Sequence, residues 1–201
     1  MSTIPAANRP VAMGVNGMVT SAHPLASLAG QRMLIQGGNA FDAAVATAAA
    51  LNVVEPYMSG VGGIGVALAY IAKEKRVRAL NFSGRTPRSA NPDLFTNQNK
   101  QTGILAPLIP GNVAGWLTLH ETYGILDREQ IFQPAIEYAE DGFPVTHLNS
   151  RIMSRSAIRL SPYPSASIIL NNNGGTPPPG SRLTMPFLAE SLRKIAKDGK
   201  E

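Results

Sequence analysis

Apolar positions along the chain fall at helical spacing in some stretches and in short runs bounded by turn residues in others, and the two patterns divide it into elements. Gly17-Met-Val-Thr-Ser-Ala22 is short and bounded by turn residues, and it reads as a strand. Pro24 suits the first turn of a helix, where its missing N–H costs nothing. Leu25, Leu28, Ala29 and Met33 then line one face at helical spacing, and Gly37-Gly38 supplies the stop. Asn39 can cap a second helix, Ala40 to about Asn52, which Pro56 forbids from continuing. Alanine stands at positions 40, 43, 44, 46, 48, 49 and 50 of that helix. Small side chains on all sides predict close packing on more than one face, as in the central helix of a layered fold.

Past the glycine turn from Gly60 to Gly65, Val66 to Ile71 reads as a buried strand. Lys73 to Arg76 makes the turn and Val77 to Phe82 returns, giving a hairpin. A loop rich in Arg, Pro, Ser and Asn follows from Ser83 to Pro92. Val113 to Tyr123 reads as a helix entered through Pro110-Gly111. Asp127 and Gln130 have the spacing of a capping box. The helix they open is expected to bury Ile131, Phe132, Ala135 and Ala139 and to end at Gly142. Another helix follows Thr146, a loop runs from Asn171 to Gly180, and Pro186 to Lys197 forms the last helix. Interleaved strands and helices make the fold class α/β, layered, with no internal repeat.

Composition narrows the function classes. With 44% hydrophobic and 15% charged residues over 201 positions, the chain is globular. The absence of cysteine excludes a disulfide framework, a thiolate nucleophile and a sulfur-based zinc site. His23, His120 and His147 are too far apart for a local metal motif and read as surface or core residues, and the reading of the chain as a whole includes no metal and no organic cofactor. Net charge is +5, but the basic residues are scattered. Their densest cluster, Lys73, Lys75, Arg76 and Arg78 around Glu74, sits on the hairpin turn and reads as a solvated turn, not a nucleic-acid surface. Met1 to Pro10 has no apolar core of a leader, and the longest apolar stretch, Ala43 to Val54, is too short to span a bilayer. The expectation is therefore a cytoplasmic protein with neither a nucleic-acid nor a membrane partner.

Four features invite chemistry. Gly60-Val-Gly-Gly-Ile-Gly65 is rich in glycine, but a dinucleotide fingerprint needs strand, glycines and then helix. Here the order is helix, glycines, strand, so a tight turn with close backbone packing is expected. Asp42 and Glu55, thirteen residues apart, are not a local acid/base pair, and Asp42 suits the dipole of the helix it enters. Trp116 and His120 share a helix and read as core or boundary residues. Arg85 and Arg88 stand on the loop leaving a strand, where an Arg could hold a substrate carboxylate through a bidentate pair.

Several ordered blocks together resemble the γ-glutamyltranspeptidase family. They are His23-Pro-Leu-Ala-Ser27, Gly37-Gly-Asn-Ala-Phe-Asp-Ala-Ala44, Val53-Val-Glu-Pro-Tyr-Met-Ser-Gly-Val-Gly-Gly63 and Pro110-Gly-Asn-Val-Ala-Gly115. Asp141-Gly-Phe-Pro-Val145 and Leu188-Ala-Glu-Ser-Leu-Arg-Lys-Ile195 continue the match. The resemblance implies residues 1–16 as an N-terminal extension and residues 17–201 as the first part of the large subunit. It also implies an N-terminal-nucleophile αββα sandwich, incomplete in this chain. Members cleave themselves to expose a threonine that is nucleophile and new N-terminus, and whose α-amino group, with a pKa near ~8, acts as its own base. That threonine is expected after residue 201, so Thr20, Thr86 and Thr176 are not candidates and the chain alone is expected to be inactive. Its partners would be the rest of the large subunit, the small subunit and a small-molecule amide such as a γ-glutamyl compound.

One departure bears on the substrate. Members acting on γ-glutamyl groups carry an Arg directly after the aromatic residue that ends the second hairpin strand, and it binds the substrate α-carboxylate. Here Ser83 follows Phe82, and the Ser83-Gly-Arg-Thr-Pro87 run resembles the version in amidohydrolase and acylase relatives. A serine cannot replace a guanidinium clamp; Arg85, two residues on, is the alternative. The substrate-binding candidates are thus Ser83 and Arg85. A second reading is a non-catalytic binding or interaction module. Strands whose partners come from elsewhere leave open edges, so 1–201 alone is expected to aggregate or remain molten, a state a sharp thermal transition in a monomeric sample would contradict.

Overall fold

The computed structural model describes residues 11–169 and 175–199. The first ten residues and the Asn171-Asn-Asn-Gly174 part of the expected loop lie outside them. Helix α1 (Pro24–Ile35) opens with proline, and α2 (Ala40–Val54) opens on Asn39. A hairpin of β1 (Gly65–Ile71) and β2 (Arg76–Phe82) follows. Then come α3 (Asn112–Tyr123), α4 (Arg128–Glu140), the short strand β3 (Phe143–Pro144) and α5 (His147–Leu160). β4 (Arg182–Leu183) pairs back antiparallel to β3, and α6 (Pro186–Asp198) closes the chain.

The alanine-rich α2 is central, as expected. It packs on α1, α3 and α4, and Ala46, Ala49, Ala50, Val53 and Val54 have no exposed surface. Small side chains let the helices approach closely, and the larger volume comes from Met33, Leu117, Ile131, Phe132, Phe143 and Leu192 on the surrounding elements. Arg32 ties α1 to α4 through a forked pair with Glu137, at 2.6 and 3.3 Å. Both side chains are about a third exposed, so the pair contributes at most about 1 kcal/mol.

Local signals decide where the helices start. Asp127 and Gln130 form the expected capping box at α4, and Thr146 Oγ1 accepts the Asn149 N–H at the start of α5. The other end of the bundle is held by a side chain from a distant element. Arg128 donates through Nε to Ala196 O and through Nη2 to Lys197 O, both at 2.5 Å, satisfying carbonyls that α6 leaves without partners. Arg128→Ala is expected to cost about 1–2 kcal/mol and to speed amide exchange in the last turn of α6; unchanged exchange there would remove the clamp from the account.

His23 shows a second device. Its Nδ1 accepts the Leu25 N–H at 3.2 Å, capping α1, and the ring is buried against the edge of Phe143. Burial lowers its pKa from the ordinary 6.5. The folded state therefore takes up its proton less readily than the unfolded state. The stability this group contributes is complete above about pH 6.5 and declines as pH falls below it. His23→Asn, which keeps a capping oxygen, is expected to flatten that part of a stability-against-pH curve; an unchanged slope would assign it to other groups.

Two expectations are corrected. Residues 17–22 form no strand: the segment is unpaired among the described residues and runs beside α2, leaving a groove of about 670 Å³. A strand needs a ladder partner, and no described segment pairs with this one. Nor is β1 buried. Ala67 and Ala69 turn toward α3, whereas Val66, Leu68 and Tyr70 are 63, 76 and 63% exposed, with Val77 of β2 on the same face. The run of apolar residues belongs to a strand built to be covered on both faces, of which the described residues cover one.

Candidate functional site

Three segments meet where the hairpin ends. They are the Gly60–Gly65 turn, the Ser83-Gly84-Arg85 exit from β2 and the Ile109–Asn112 entry to α3. Gly63 O accepts the N–H groups of both Gly111 and Asn112 at 3.1 Å, and Asn112 Nδ2 donates to Gly60 O at 2.9 Å. Ile109 N–H donates to Arg85 O at 3.0 Å, which ties the β2 exit to the same knot. The glycine turn is thus used as a backbone joint, as its order after a helix and before a strand predicts. Its carbonyls are engaged by the α3 entry.

The fit of these segments explains two glycines. Gly84 has φ +81°, and a Cβ there would lie 2.2 Å from Ile109 O. A Cβ on Gly111 would lie 2.1 Å from Phe82 O and 3.2 Å from Gly84 N. Neither backbone can approach the other with a side chain present. Phe82 lays its ring over the bare Cα of Gly115 and Gly65, and so pins the strand end from which Ser83 departs.

Ser83 is half-buried, and its N–H donates to Asn81 Oδ1 at 2.9 Å. Arg85 is exposed, as is Arg88, and neither forms an ion pair among the described residues. The structure therefore places Ser83 and Arg85 on one loop whose backbone is held at both ends: Phe82 on one side, Ile109 on the other. Such a loop presents side chains at fixed positions, which substrate binding requires.

The other sequence candidates serve elsewhere. His120 lies on α3, where Nε2 donates to Leu126 O at 2.8 Å, while His147 is exposed at the start of α5. Among the described residues no cluster of three His, Asp or Glu side chains could hold a metal ion. Trp116 is buried against Phe132, as a core residue. Glu55 ends α2, and burial pushes its carboxyl above the ordinary range.

Asp42 does more than favour a helix dipole. It is fully buried and accepts from Asn39 N at 2.8 Å, which completes a capping box with Asn39. It also accepts from Ile125 N at 3.1 and 3.3 Å, and Asn39 Nδ2 donates to Tyr123 O at 2.6 Å. The start of α2 is therefore fastened to the end of α3, the helix whose entry shapes the Ser83 loop. The box was readable from Asn39-x-x-Asp42; the grip on residues 123–125 was not.

Superposition on solved structures places the fold in the N-terminal-nucleophile class. The Helicobacter pylori γ-glutamyltranspeptidase structure superposes with a TM-score of 0.89 at 31% identity, over 94% of this chain and 56% of that one. A cephalosporin acylase from Bacillus halodurans superposes equally well, at 0.89 and 32% identity, over 98% of this chain and 38% of that one. Within the class, the chain belongs to the γ-glutamyltranspeptidase family, whose model matches residues 26–201. The glutathione hydrolase-like YwrD proenzyme of Bacillus subtilis is 38% identical over 94% of this chain and 36% of its own length. The chain spans about a third of the length of the curated relatives it matches.

Proposed function

We propose that this chain is the first part of the large subunit of an enzyme that cleaves a small amide through an acyl-enzyme. In this reading the hydroxyl of an N-terminal threonine, supplied by sequence after residue 201, attacks the amide carbonyl. Its own α-amine takes the proton, the substrate amine leaves, and water or a second amine accepts the acyl group. The rest of the large subunit and the small subunit complete the site, and 1–201 alone has no activity. Ser83 and Arg85 line the acyl pocket.

The observation carrying this reading is Ser83 itself, standing after Phe82 on a loop pinned by Gly111 and Ile109. Without a guanidinium at that position, the α-carboxylate of a γ-glutamyl group loses its bidentate partner. Relatives bearing both glutathione hydrolase and acylase names are consistent with either acyl group. We therefore assign the enzyme an acyl group other than γ-glutamyl. The natural full-length protein should turn over aliphatic or dicarboxylic acyl anilides at least as well as a γ-glutamyl anilide. Ser83→Arg should shift that preference toward γ-glutamyl by about tenfold, the worth of one modest charged contact. A tenfold or greater preference of the unaltered enzyme for γ-glutamyl donors would reject the assignment.

A further inference from the structure

Helix α5 carries a pattern that the acyl site does not use. Arg151, Arg155 and Arg159 recur every fourth residue, which on a helix puts them on one face about 6 Å apart along the axis. All three are exposed, and none forms an ion pair among the described residues. No Asp or Glu stands anywhere between Asp141 and Glu190, so this stretch of sequence offers them no carboxylate. The opposite face is anchored. Asn149 and Met153 are buried, and Asn149 Nδ2 donates to Val54 O at 2.8 Å while its Oδ1 accepts from Tyr57 and Thr146. The stripe therefore points away from the fold.

Beside the arginines lie apolar residues that a merely solvated face would not need. Ile158 is 89% exposed, and Leu148 is exposed on the same side. Guanidinium groups interleaved with aliphatic side chains match the make-up of protein interfaces, where Arg is enriched and Lys depleted. A sugar-phosphate backbone would engage the charges and leave Ile158 and Leu148 in water. A helix bearing carboxylates four residues apart, with aliphatic residues between them, would satisfy both: each guanidinium forks onto a carboxylate, and the two apolar side chains are covered.

We propose that the outer face of α5 is a docking surface for an acidic, amphipathic helical segment of a protein partner. This surface is separate from the Ser83 loop and does not depend on the reaction assigned to it. The test uses the natural full-length protein and a labelled 18-residue helical peptide with Glu at every fourth position and Leu between. The comparison ligands are a peptide of the same composition in scrambled order and an 18-nucleotide single-stranded DNA. Wild type should bind the patterned peptide at least fivefold more tightly than the scrambled one. The Arg151→Gln, Arg155→Gln, Arg159→Gln triple variant should lose at least tenfold, and Ile158→Ser about threefold. Lys73→Gln, Lys75→Gln, Lys100→Gln removes the same charge elsewhere and should bind within twofold of wild type. Matching melting midpoints establish that the variants are folded. The proposal is overturned by no binding to wild type, as when another part of the protein already covers α5, or by equal losses in the two triple variants. Arginine-dependent binding that is tighter for DNA than for the patterned peptide would overturn it as well, and would make the face a nucleic-acid surface.

Discussion

Asp42→Ala is expected to destabilise the protein by about 3–5 kcal/mol, among the largest effects any single polar side chain here can have. The carboxylate is fully buried and accepts from two backbone N–H groups on separate segments, Asn39 and Ile125. Alanine takes away the buried acceptor of both donors, and an orphaned buried donor costs about 1–3 kcal/mol. It also removes half of the α2 capping box and one of the two side-chain ties from the start of α2 to the end of α3, leaving that of Asn39 to Tyr123 O. Asp42→Asn keeps one acceptor oxygen and should cost about half as much. The measurement is the denaturant midpoint, together with amide exchange at residues 39–42 and 123–126. A midpoint shift worth less than about 1 kcal/mol would show that the surrounding backbone finds other partners.

Gly84→Ala should act on the reaction more than on the fold. At φ +81° an alanine costs about 1–2 kcal/mol in the left-handed region, and its Cβ would sit 2.2 Å from Ile109 O. The Ile109 oxygen is backbone and a Cβ has no rotamer by which to turn aside, so the β2 exit and the α3 entry must separate, and Ser83 and Arg85 move with them. Displacing a positioning loop by about 1 Å can cost on the order of 100-fold in rate. The full-length enzyme is expected to lose about that much in kcat/KM on its best amide substrate, while its melting midpoint falls by only a few degrees. Activity within threefold of wild type would mean that the loop does not position the acyl group, and would remove Ser83 and Arg85 from the site.

Several elements of this chain could be read without coordinates because the residues that decide them are neighbours in sequence. The Asp127 and Gln130 box at α4 and Thr146 before α5 satisfy backbone groups within four residues, and Pro24 at the start of α1 has no N–H to satisfy. The hairpin followed from two short runs, Val66 to Ile71 and Val77 to Phe82, separated by the charged turn at Lys73 to Arg76. Burial was harder to read. A run of apolar residues announces a strand covered on two faces, but it cannot say which segment covers each face, and Val66, Leu68 and Tyr70 lie open. The 17–22 segment is the same case, since extended residues become a strand only when another segment supplies the ladder.

For the site, the sequence by itself determined the family, from ordered blocks such as Gly37–Ala44 and Pro110–Gly115, and it put Ser83 after Phe82, the residue on which the proposed acyl preference rests. These are properties of residue identity at known spacing. Only the tertiary structure decided what fastens the site together: Gly63 O against the α3 entry, Gly84 against Ile109, and Asp42 holding Ile125 across 83 residues. It also showed that the three arginines of α5 face away from the core. The physical reason is common to all four. A cap or a helix period is settled within one turn of chain, whereas a close backbone approach, a distant hydrogen bond and an uncovered face depend on which remote segment arrives, and no local pattern encodes that.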